Sequence, residues 1–250
     1  MSSKERPVAL VTGSATGVGR ACVLQFAARG YDVVVNYSRS AQEATQTVLK
    51  AKSLGAEVLL VQCDVANDSL VQEMIESIKS QFGRLDVVVN NAATTNFIDH
   101  ADLEAMTEEI WDRILAVNLK GAFFVTRAAA ALLKSGGGSV VNISSVAGIT
   151  GSGSSVAYCA SKGALNTMTK SLARALAPGI RVNAVCPGPI DSRWIREGNP
   201  GASIESMVAD YPLPKASTPD DIADAVVFFS VGTSMATGQL LSIDGGQTLG

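Results

Sequence analysis

The chain has 250 residues, of which 47% are hydrophobic and 17% are charged. That length and composition suit one large α/β domain with an aliphatic core, and they exclude a disordered chain. The formal net charge of −3 leaves no basic surface for a phosphate backbone, so we expect no nucleic-acid partner.

The N-terminal segment Met1–Pro7 is short and polar, and it lacks the apolar run of a signal peptide. Gly, Asp, Asn or Lys interrupts each apolar stretch before it reaches the roughly 20 residues of a membrane span. We therefore expect a cytoplasmic protein with no membrane partner.

The cysteines are too widely spaced for a zinc site or a disulfide framework, so we predict no metal and buried thiols. They are Cys22, Cys63, Cys159 and Cys186. Cys159 adjoins a tyrosine, but the single histidine of the chain is His100, which argues against a cysteine or serine triad.

Short apolar runs alternate with segments of helical period along the chain. The predicted strands are Val8–Val11, Asp32–Asn36, Val58–Cys63, Asp86–Asn90, Ser139–Ile143, Arg181–Val185 and Leu240–Ile243. The predicted helices are Gly17–Ala28, Ala41–Ser53, Ser69–Phe82, Glu104–Ala116, Leu119–Lys134, Val156–Leu176 and Pro219–Phe229. Nearly unbroken Val, Ile and Leu in the strands indicates a parallel sheet covered on both faces.

This alternation predicts a single domain over residues 1–250: a doubly wound, seven-stranded parallel sheet of Rossmann type with helices on both faces. Its ligand crevice is expected at the carboxyl ends of the strands. The long non-periodic stretch Pro187–Pro214 holds five of the eight prolines. We expect a substrate lid there, at about residues 189–215.

A glycine-rich turn, Thr12 to Gly19 (TGSATGVG), joins the first strand to the first helix. Glycines let a backbone approach a pyrophosphate, which is then stabilised at the helix N-terminus. In this strand-to-helix context the pattern predicts a dinucleotide site. At the end of the second strand, where NAD sites place a carboxylate, the chain has Asn36, followed by Ser38 and Arg39. We expect NADP(H) to be preferred, with NAD(H) possible.

Tyr158 and Lys162 are four residues apart on a predicted helix, so their side chains share a face. A phenol is too weak a base at neutral pH unless its pKa is lowered, and the Lys162 ammonium and an oxidised nicotinamide ring would both act in that direction. Ser145 ends the preceding strand, and a glycine-rich loop can bring its hydroxyl near the phenol. These three residues predict proton transfer to or from a reacting oxygen.

Over nearly its whole length the chain resembles the compact branch of the short-chain dehydrogenase/reductase family, and it is similar to the 3-oxoacyl carrier-protein reductases within it. The matching segments occur in family order. They are the glycine turn, Asp64-Val65, Asn90 to Ala93, Asn118, Ser145, Tyr158 with Lys162, Pro187-Gly188 and Thr237 to Gly246.

The resemblance implies that Ser145 polarises the substrate oxygen, Tyr158 exchanges the proton and Lys162 binds the nicotinamide ribose. Asn118 would hold a water molecule in the proton relay. Asp64 would meet the adenine amino group, Asn91 and Ala92 would line the adenosine ribose, and Ile190 and Ser192 would hold the carboxamide. The expected cofactor contacts are Gly13, Ser14, Thr16, Gly17, Val18, Gly19, Asn36, Ser38, Arg39, Asp64, Val65, Asn91, Ala92, Tyr158, Lys162, Pro187, Gly188, Ile190 and Ser192.

The chain departs from the family at Ala93, where the family usually has glycine. We expect the extra methyl group to narrow the pocket near the nicotinamide end or to shift the strand slightly. The implied function is an NAD(P)(H)-dependent oxidoreductase for a ketone or secondary alcohol, foremost an NADPH-dependent carbonyl or 3-oxoacyl-type reductase. The alternatives are a sugar or secondary-alcohol dehydrogenase working oxidatively and a non-catalytic cofactor-binding scaffold. An enoyl reductase would need a longer spacing between Tyr158 and Lys162.

The apolar faces of the long helices Glu104 to Lys134 and Val156–Leu176, together with the resemblance, predict a homotetramer. An acidic carrier protein needs basic residues at the active-site mouth. The bases expected nearby are few, Lys134, Arg174 and Arg181, and those of the lid are offset by acids. We expect small free ketones to be reduced at least as efficiently as carrier-bound substrates.

Overall fold

Seven short runs of aliphatic residues form one parallel sheet, as the sequence predicted. A computed structural model describes residues 6–198 and 203–249. The strands are β1 (Val8–Val11), β2 (Asp32–Tyr37), β3 (Val58–Gln62), β4 (Val87–Asn90), β5 (Gly138–Ile143), β6 (Ile180–Pro187) and β7 (Leu240–Ile243). Their order is β3-β2-β1-β4-β5-β6-β7, and every neighbouring pair is parallel. The order reverses between β1 and β4, where a doubly wound sheet opens its ligand crevice.

Helices cover both faces of this sheet. They are α1 (Gly17–Ala28), α2 (Ala41–Ser53), α3 (Asp68–Phe82), α4 (Glu108–Leu115), α5 (Ala122–Lys134), α6 (Ala147–Thr150), α7 (Val156–Leu176), α8 (Arg193–Gly198), α9 (Ile204–Val208) and α10 (Pro219–Val227). Two π-helical turns, Ala116–Gly121 and Phe228–Gly232, and a short 3-10 turn, Gln247–Leu249, complete the set.

Each face of the sheet carries its own apolar core. On one face α1, α2 and α10 bury Phe26, Val48 and Ile222 against β1 and β2. On the other, α3 and α5 bury Met74 and Leu133, and α7 packs beside them. Burial on both faces explains why the strands read as continuous aliphatic runs rather than as alternating ones.

The predicted helices Glu104–Ala116 and Leu119–Lys134 form one continuous helical stretch. It begins later than predicted, at Glu108, because the Thr107 hydroxyl accepts a hydrogen bond from the Ile110 N–H at 3.4 Å and caps the helix. The predicted break is the π-helical turn Ala116–Gly121, in which one extra residue is accommodated without ending the helix.

By length and composition this 27-residue helical stretch, Glu108–Lys134, is apolar enough to cross a membrane, with a mean hydropathy of 1.3 in its most apolar window. It was not expected from the sequence. Its residues Val125, Ala129 and Leu133 are completely buried in one of the two cores. The stretch is therefore a core helix of the sheet domain.

A buried polar ladder ties this helical stretch to the sheet and to α7. Asn90 donates to Asn142 at 2.9 Å and to Thr126 on α5 at 3.0 Å, and Asn142 donates to Thr169 on α7 at 2.9 Å. Hydrogen bonds in a buried network fix geometry more strictly than apolar contacts do. The ladder thus holds α5 and α7 at a set distance across β4 and β5.

Candidate active site

The glycine-rich turn after β1 forms a cradle at the N-terminus of α1. Gly13 and Gly17 have φ of +60° and +54°, a conformation that favours glycine. A Cβ on Gly19 would lie 2.6 Å from Asn91 Nδ2 and from the Gly13 carbonyl oxygen, so no side chain fits there. Among the described residues no side chain caps α1 at Thr16, and its first turn holds no acid. These features fit a dinucleotide pyrophosphate.

The neighbouring strand end fixes the shape of this turn. The N–H groups of Asn91 and Ala92 both donate to the Thr12 hydroxyl at 3.0 Å. The Asn91 amide donates to the carbonyl oxygens of Thr12 and Gly13, each at 2.9 Å. Asn91 and Ala92, predicted as ribose contacts, are therefore also the residues that join β4 to the turn after β1.

Asn36 and Ser14, predicted as cofactor contacts, are buried and hydrogen-bonded within the turn. The Asn36 side chain accepts a hydrogen bond from the Gly13 N–H at 3.1 Å and donates to the Cys63 carbonyl oxygen at 3.0 Å. Ser14 Oγ accepts from the Asn36 N–H at 3.1 Å. An amide suits this place because it donates and accepts at once.

Ser38 and Arg39 follow β2 and are exposed, beside the half-buried Tyr37. They lie at the carboxyl end of β2, two strands from β4 across β1. The structure thus brings these two predicted residues to the same edge of the sheet as the glycine turn.

Asp64, predicted to meet the adenine, is paired with a residue that the sequence did not single out. Its carboxylate lies 2.9 Å from the Arg113 guanidinium and accepts from the Ala66 N–H at 3.1 Å. Val65 is buried, and a Cβ on Gly121 would lie 2.7 Å from its Cγ2. The loop after β3 is thereby held against the π-helical turn.

Ser145, Tyr158 and Lys162 come together at the carboxyl end of β5, as predicted. The Lys162 Nζ lies 5.6 Å from the centre of the Tyr158 ring, and it donates to the Ile143 carbonyl oxygen at 2.8 Å. Ser155 caps α7 by accepting from the Tyr158 N–H at 3.3 Å. This places the phenol in the first turn of α7, where the helix dipole favours negative charge.

Burial controls the proton affinities of this pair. It raises the pKa of Tyr158 to about 12, against a hydrogen bond with Ser145 that acts in the lowering direction. Burial also lowers the pKa of Lys162 to about 8, since the side chain is only 2% exposed. The predicted lowering of the Tyr158 pKa involves an oxidised nicotinamide ring as well as Lys162, whereas in the chain without cofactor desolvation of the phenol is the largest effect.

Asn118 lies in the π-helical turn, and both N–H groups of its amide are hydrogen-bonded. It accepts from the Thr94 N–H at 2.8 Å and donates to the Thr94 carbonyl oxygen at 3.0 Å and to Ser161 Oγ at 3.1 Å. Ser161 Oγ in turn donates to the Tyr158 carbonyl oxygen at 2.7 Å. The hydrogen bonds that join Thr94 and Ser161 to Asn118 were not predicted, because no local pattern marks these partners.

Pro187 and Gly188 end β6 close to Ser145. The Pro187 carbonyl oxygen accepts from the Val146 N–H at 2.9 Å, and the Gly188 N–H donates to Ile243 at 3.0 Å. Ile190 then pairs with Ser217, and Ser192 leads into α8. Of the predicted lid, residues 199–202 and the side chain of Glu197 lie outside the described part of the chain.

The bases expected around the mouth of the site lie elsewhere. Lys134 ends α5 and Arg174 is in the last turn of α7, both at the amino edge of the sheet. Arg181 is the second residue of β6, at the same edge, and donates to the carbonyl oxygens of Phe229 and Ser230. Helices that return a chain to the start of a parallel strand end opposite the site. Their proximity to the mouth was therefore wrongly predicted.

Comparisons with known proteins agree with this geometry. The family described as enoyl-(acyl carrier protein) reductase matches residues 13–248. The chain is 41% identical, over 98% of its length and 97% of the relative's, to a protein of Streptomyces violaceoruber. That relative is named as a ketoacyl reductase of the granaticin polyketide synthase. It is 39% identical to a 3-oxoacyl-[acyl-carrier-protein] reductase of Staphylococcus aureus, over 95% and 96%.

Solved structures show the same fold. A short-chain dehydrogenase/reductase protein from Burkholderia xenovorans superposes with a TM-score of 0.93 at 36% identity, covering 98% of this chain and 99% of that one. Fold and site together define a nicotinamide-dependent oxidoreductase. With these relatives, the chain belongs to the short-chain dehydrogenase/reductase family.

Proposed function

We propose that this enzyme reduces the ketone of a small 3-oxoacyl-type or related carbonyl substrate with NADPH. The observation that carries the proposal is the geometry of the buried Tyr158 phenol, which is hydrogen-bonded with Ser145 and has the Lys162 Nζ 5.6 Å from the centre of its ring. A protonated phenol at the mouth of a dinucleotide cradle is a general acid suited to carbonyl reduction.

Each residue has a distinct task in this proposal. Ser145 donates a hydrogen bond to the substrate oxygen and orients it toward Tyr158. Tyr158 Oη gives its proton to that oxygen as the carbonyl becomes an alcohol. The bound reduced nicotinamide supplies the hydride. Lys162, which donates to the Ile143 carbonyl oxygen, would bind the nicotinamide ribose, and Asn118 would hold a water molecule that returns a proton from solvent.

The proposed cofactor contacts run from the glycine-rich turn along the carboxyl edge of the sheet. Gly13, Thr16, Gly17, Val18 and Gly19 would hold the pyrophosphate, since they surround the uncapped start of α1. Further contacts would come from residues at the ends of β3, β4 and β6: Asp64, Val65, Asn91, Ala92, Pro187, Gly188, Ile190 and Ser192.

The preference for NADPH rests on Ser38 and Arg39. Both are exposed at the end of β2, where a 2′-phosphate would gain charge-assisted hydrogen bonds. The neutral Asn36 leaves no carboxylate to repel that phosphate.

Ketone reduction is favoured over enoyl reduction, although the matching family carries the enoyl description. Tyr158 and Lys162 are one helical turn apart, whereas the enoyl branch uses a longer spacing. The mouth favours a small, free substrate over a carrier-bound one. Arg196 is paired with Asp191 and Arg193 with Glu43, so these lid bases offer little attraction to an acidic carrier.

The test is an assay of nicotinamide oxidation with a free 3-oxo ester and with the carrier-protein thioester of the same acid. We expect NADPH-dependent turnover of the ester, with a specificity constant no lower than that of the thioester. A preference above about 100-fold for the thioester, equivalent to about 2.7 kcal/mol, would contradict the substrate assignment. No turnover of either would contradict the proposed reduction.

We also propose a cytoplasmic homotetramer. An open apolar groove of about 550 Å³ lies between the start of α5 and the middle of α7. Its lining residues are Leu119, Lys120, Phe123, Ala164, Thr167 and Met168. A second copy of the chain would cover it, and light scattering that shows a stable monomer at micromolar concentration would overturn this assembly.

A further inference from the structure

An ion pair joins two parts of the chain that are far apart in sequence. Glu43, in the first turn of α2, lies with its Oε1 3.0 Å from a guanidinium nitrogen of Arg193, the first residue of α8. A hydrogen bond to its own backbone and the contact with Arg193 both lower the pKa of Glu43, so the carboxylate is charged at neutral pH.

The pair connects opposite sides of the glycine-rich turn. Arg193 ends a segment that leaves β6 at Pro187, which we call the strap (Pro187–Arg193), whereas Glu43 belongs to the helix after β2. β5, β4 and β1 lie between β6 and β2 in the sheet. Four strand spacings amount to roughly 19 Å, and the strap can extend about 20 Å. Arg193 follows the carboxyl end of β6 and Glu43 follows that of β2, so their contact spans the carboxyl edge of the sheet, where the cradle opens.

Both ends of this crossing are anchored. At the strap, the Asp191 N–H donates to the Ser217 carbonyl oxygen at 2.8 Å. At the other end, Arg20 donates to the carbonyl oxygens of Ala15 at 2.7 Å and Glu43 at 3.1 Å. Glu43 is thus fixed to the glycine-rich turn itself. The Arg193 side chain therefore pairs with a residue, Glu43, whose backbone is tied to the glycine-rich turn through Arg20.

We propose that the Glu43–Arg193 ion pair is a latch that holds the strap closed across the cradle and slows release of the bound dinucleotide. The inference rests on the proposed cofactor site. The Arg193 and Glu43 side chains are 50% and 33% exposed, so the pair is weak and sensitive to salt, as exposed pairs are. A weak ion pair can break each time the oxidised cofactor leaves and the reduced cofactor binds.

The test measures the dissociation rate of NADPH by stopped-flow fluorescence in Glu43→Gln, Arg193→Gln and the double variant, without substrate. We expect each single variant to release NADPH about two- to fivefold faster, the size expected for an exposed pair. The double variant should be no faster than either single variant. The charge-swapped chain, Glu43→Arg with Arg193→Glu, should recover slow release.

Salt provides a second readout. Raising NaCl from about 0.05 to 0.5 M should speed release from the wild type more than from Glu43→Gln, because only the former has a latch to screen. The matched control is Glu76→Gln, which breaks an exposed pair with Lys79 (3.5 Å) on the distant helix α3. It should leave the rate unchanged.

Three outcomes would overturn the latch. Unchanged NADPH dissociation rates in both single variants would show that the ion pair does not affect cofactor release. Additive effects in the double variant would show that the two residues act separately. Slower release from Glu43→Gln but faster release from Arg193→Gln would show that Arg193 binds a cofactor phosphate directly and that Glu43 competes for it. Wild-type protein that binds neither NADPH nor NADH would instead refute the proposed function, and the latch with it.

Discussion

Replacing Tyr158 with phenylalanine removes the proposed proton donor while keeping the buried ring. General acid catalysis contributes about 100- to 10,000-fold, so we expect turnover of a 3-oxo ester to fall by at least about 100-fold, or about 2.7 kcal/mol. The lost hydrogen bond with Ser145 is worth only about 1 kcal/mol, which for a chain of this size lowers the Tm by about 2–4 °C. The loss of activity therefore greatly exceeds the loss of stability.

Steady-state kinetics, NADPH titration and thermal unfolding of the same preparation measure the three effects. We expect NADPH affinity within about threefold of the wild type, because Lys162 keeps its contact with the Ile143 carbonyl oxygen. Tyr31→Phe is the matched control, since Tyr31 packs on Phe26 away from the site. Near-normal turnover by the Tyr158 variant, or equal losses in both variants, would refute the reasoning.

Three further predictions concern the cofactor and the pH. Arg39→Ala should weaken NADPH binding about five- to tenfold and leave NADH binding unchanged in direct titrations, and equal affinities for the two cofactors in the wild type would contradict it. Gly19→Ala should weaken the binding of both cofactors at least about tenfold, because the new Cβ would lie 2.6 Å from the Gly13 carbonyl oxygen. The control Gly163→Ala should leave cofactor binding unchanged, because its Cβ would meet only the Gly148 carbonyl oxygen, at 3.5 Å. For ketone reduction, kcat/KM should be level below pH 8 and fall above it. The Lys162 ammonium, with a pKa of about 8, loses its proton in that range, while Tyr158 stays protonated. A profile that is flat to pH 10 would exclude a role for the Lys162 ammonium in the reaction.

The sequence predicted the seven strands and the helices between them well, because burial on both faces leaves a strong composition signal. The prediction failed at a local feature, the break between Ala116 and Leu119. The two helices were predicted to be separate, but the chain continues through a π-helical turn in which the Asn118 amide donates to Thr94 and Ser161. Those partners lie 24 and 43 residues away, so no local pattern reveals them.

The candidate site divides in the same way. Spacing on one helix was enough to bring Tyr158 and Lys162 together, and glycine placement was enough to locate the cradle. The direction of the Asn36 side chain was not predictable, because it depends on the Cys63 carbonyl oxygen at the end of β3. Likewise, no sequence pattern connects Glu43 with Arg193, 150 residues apart.

The pKa of the phenol also bears on the direction of catalysis. Burial raises the pKa of Tyr158 to about 12, so at pH 7 the phenol of the chain without cofactor is protonated. Alcohol oxidation requires the phenolate, and its formation must be driven by positive charge beyond that of Lys162, whose ammonium is directed to the Ile143 carbonyl oxygen. Carbonyl reduction uses the phenol in the state that burial already favours. Reduction thus starts from the protonation state that burial favours, whereas oxidation starts from the state that a bound oxidised nicotinamide ring would favour, and the same phenol serves both directions.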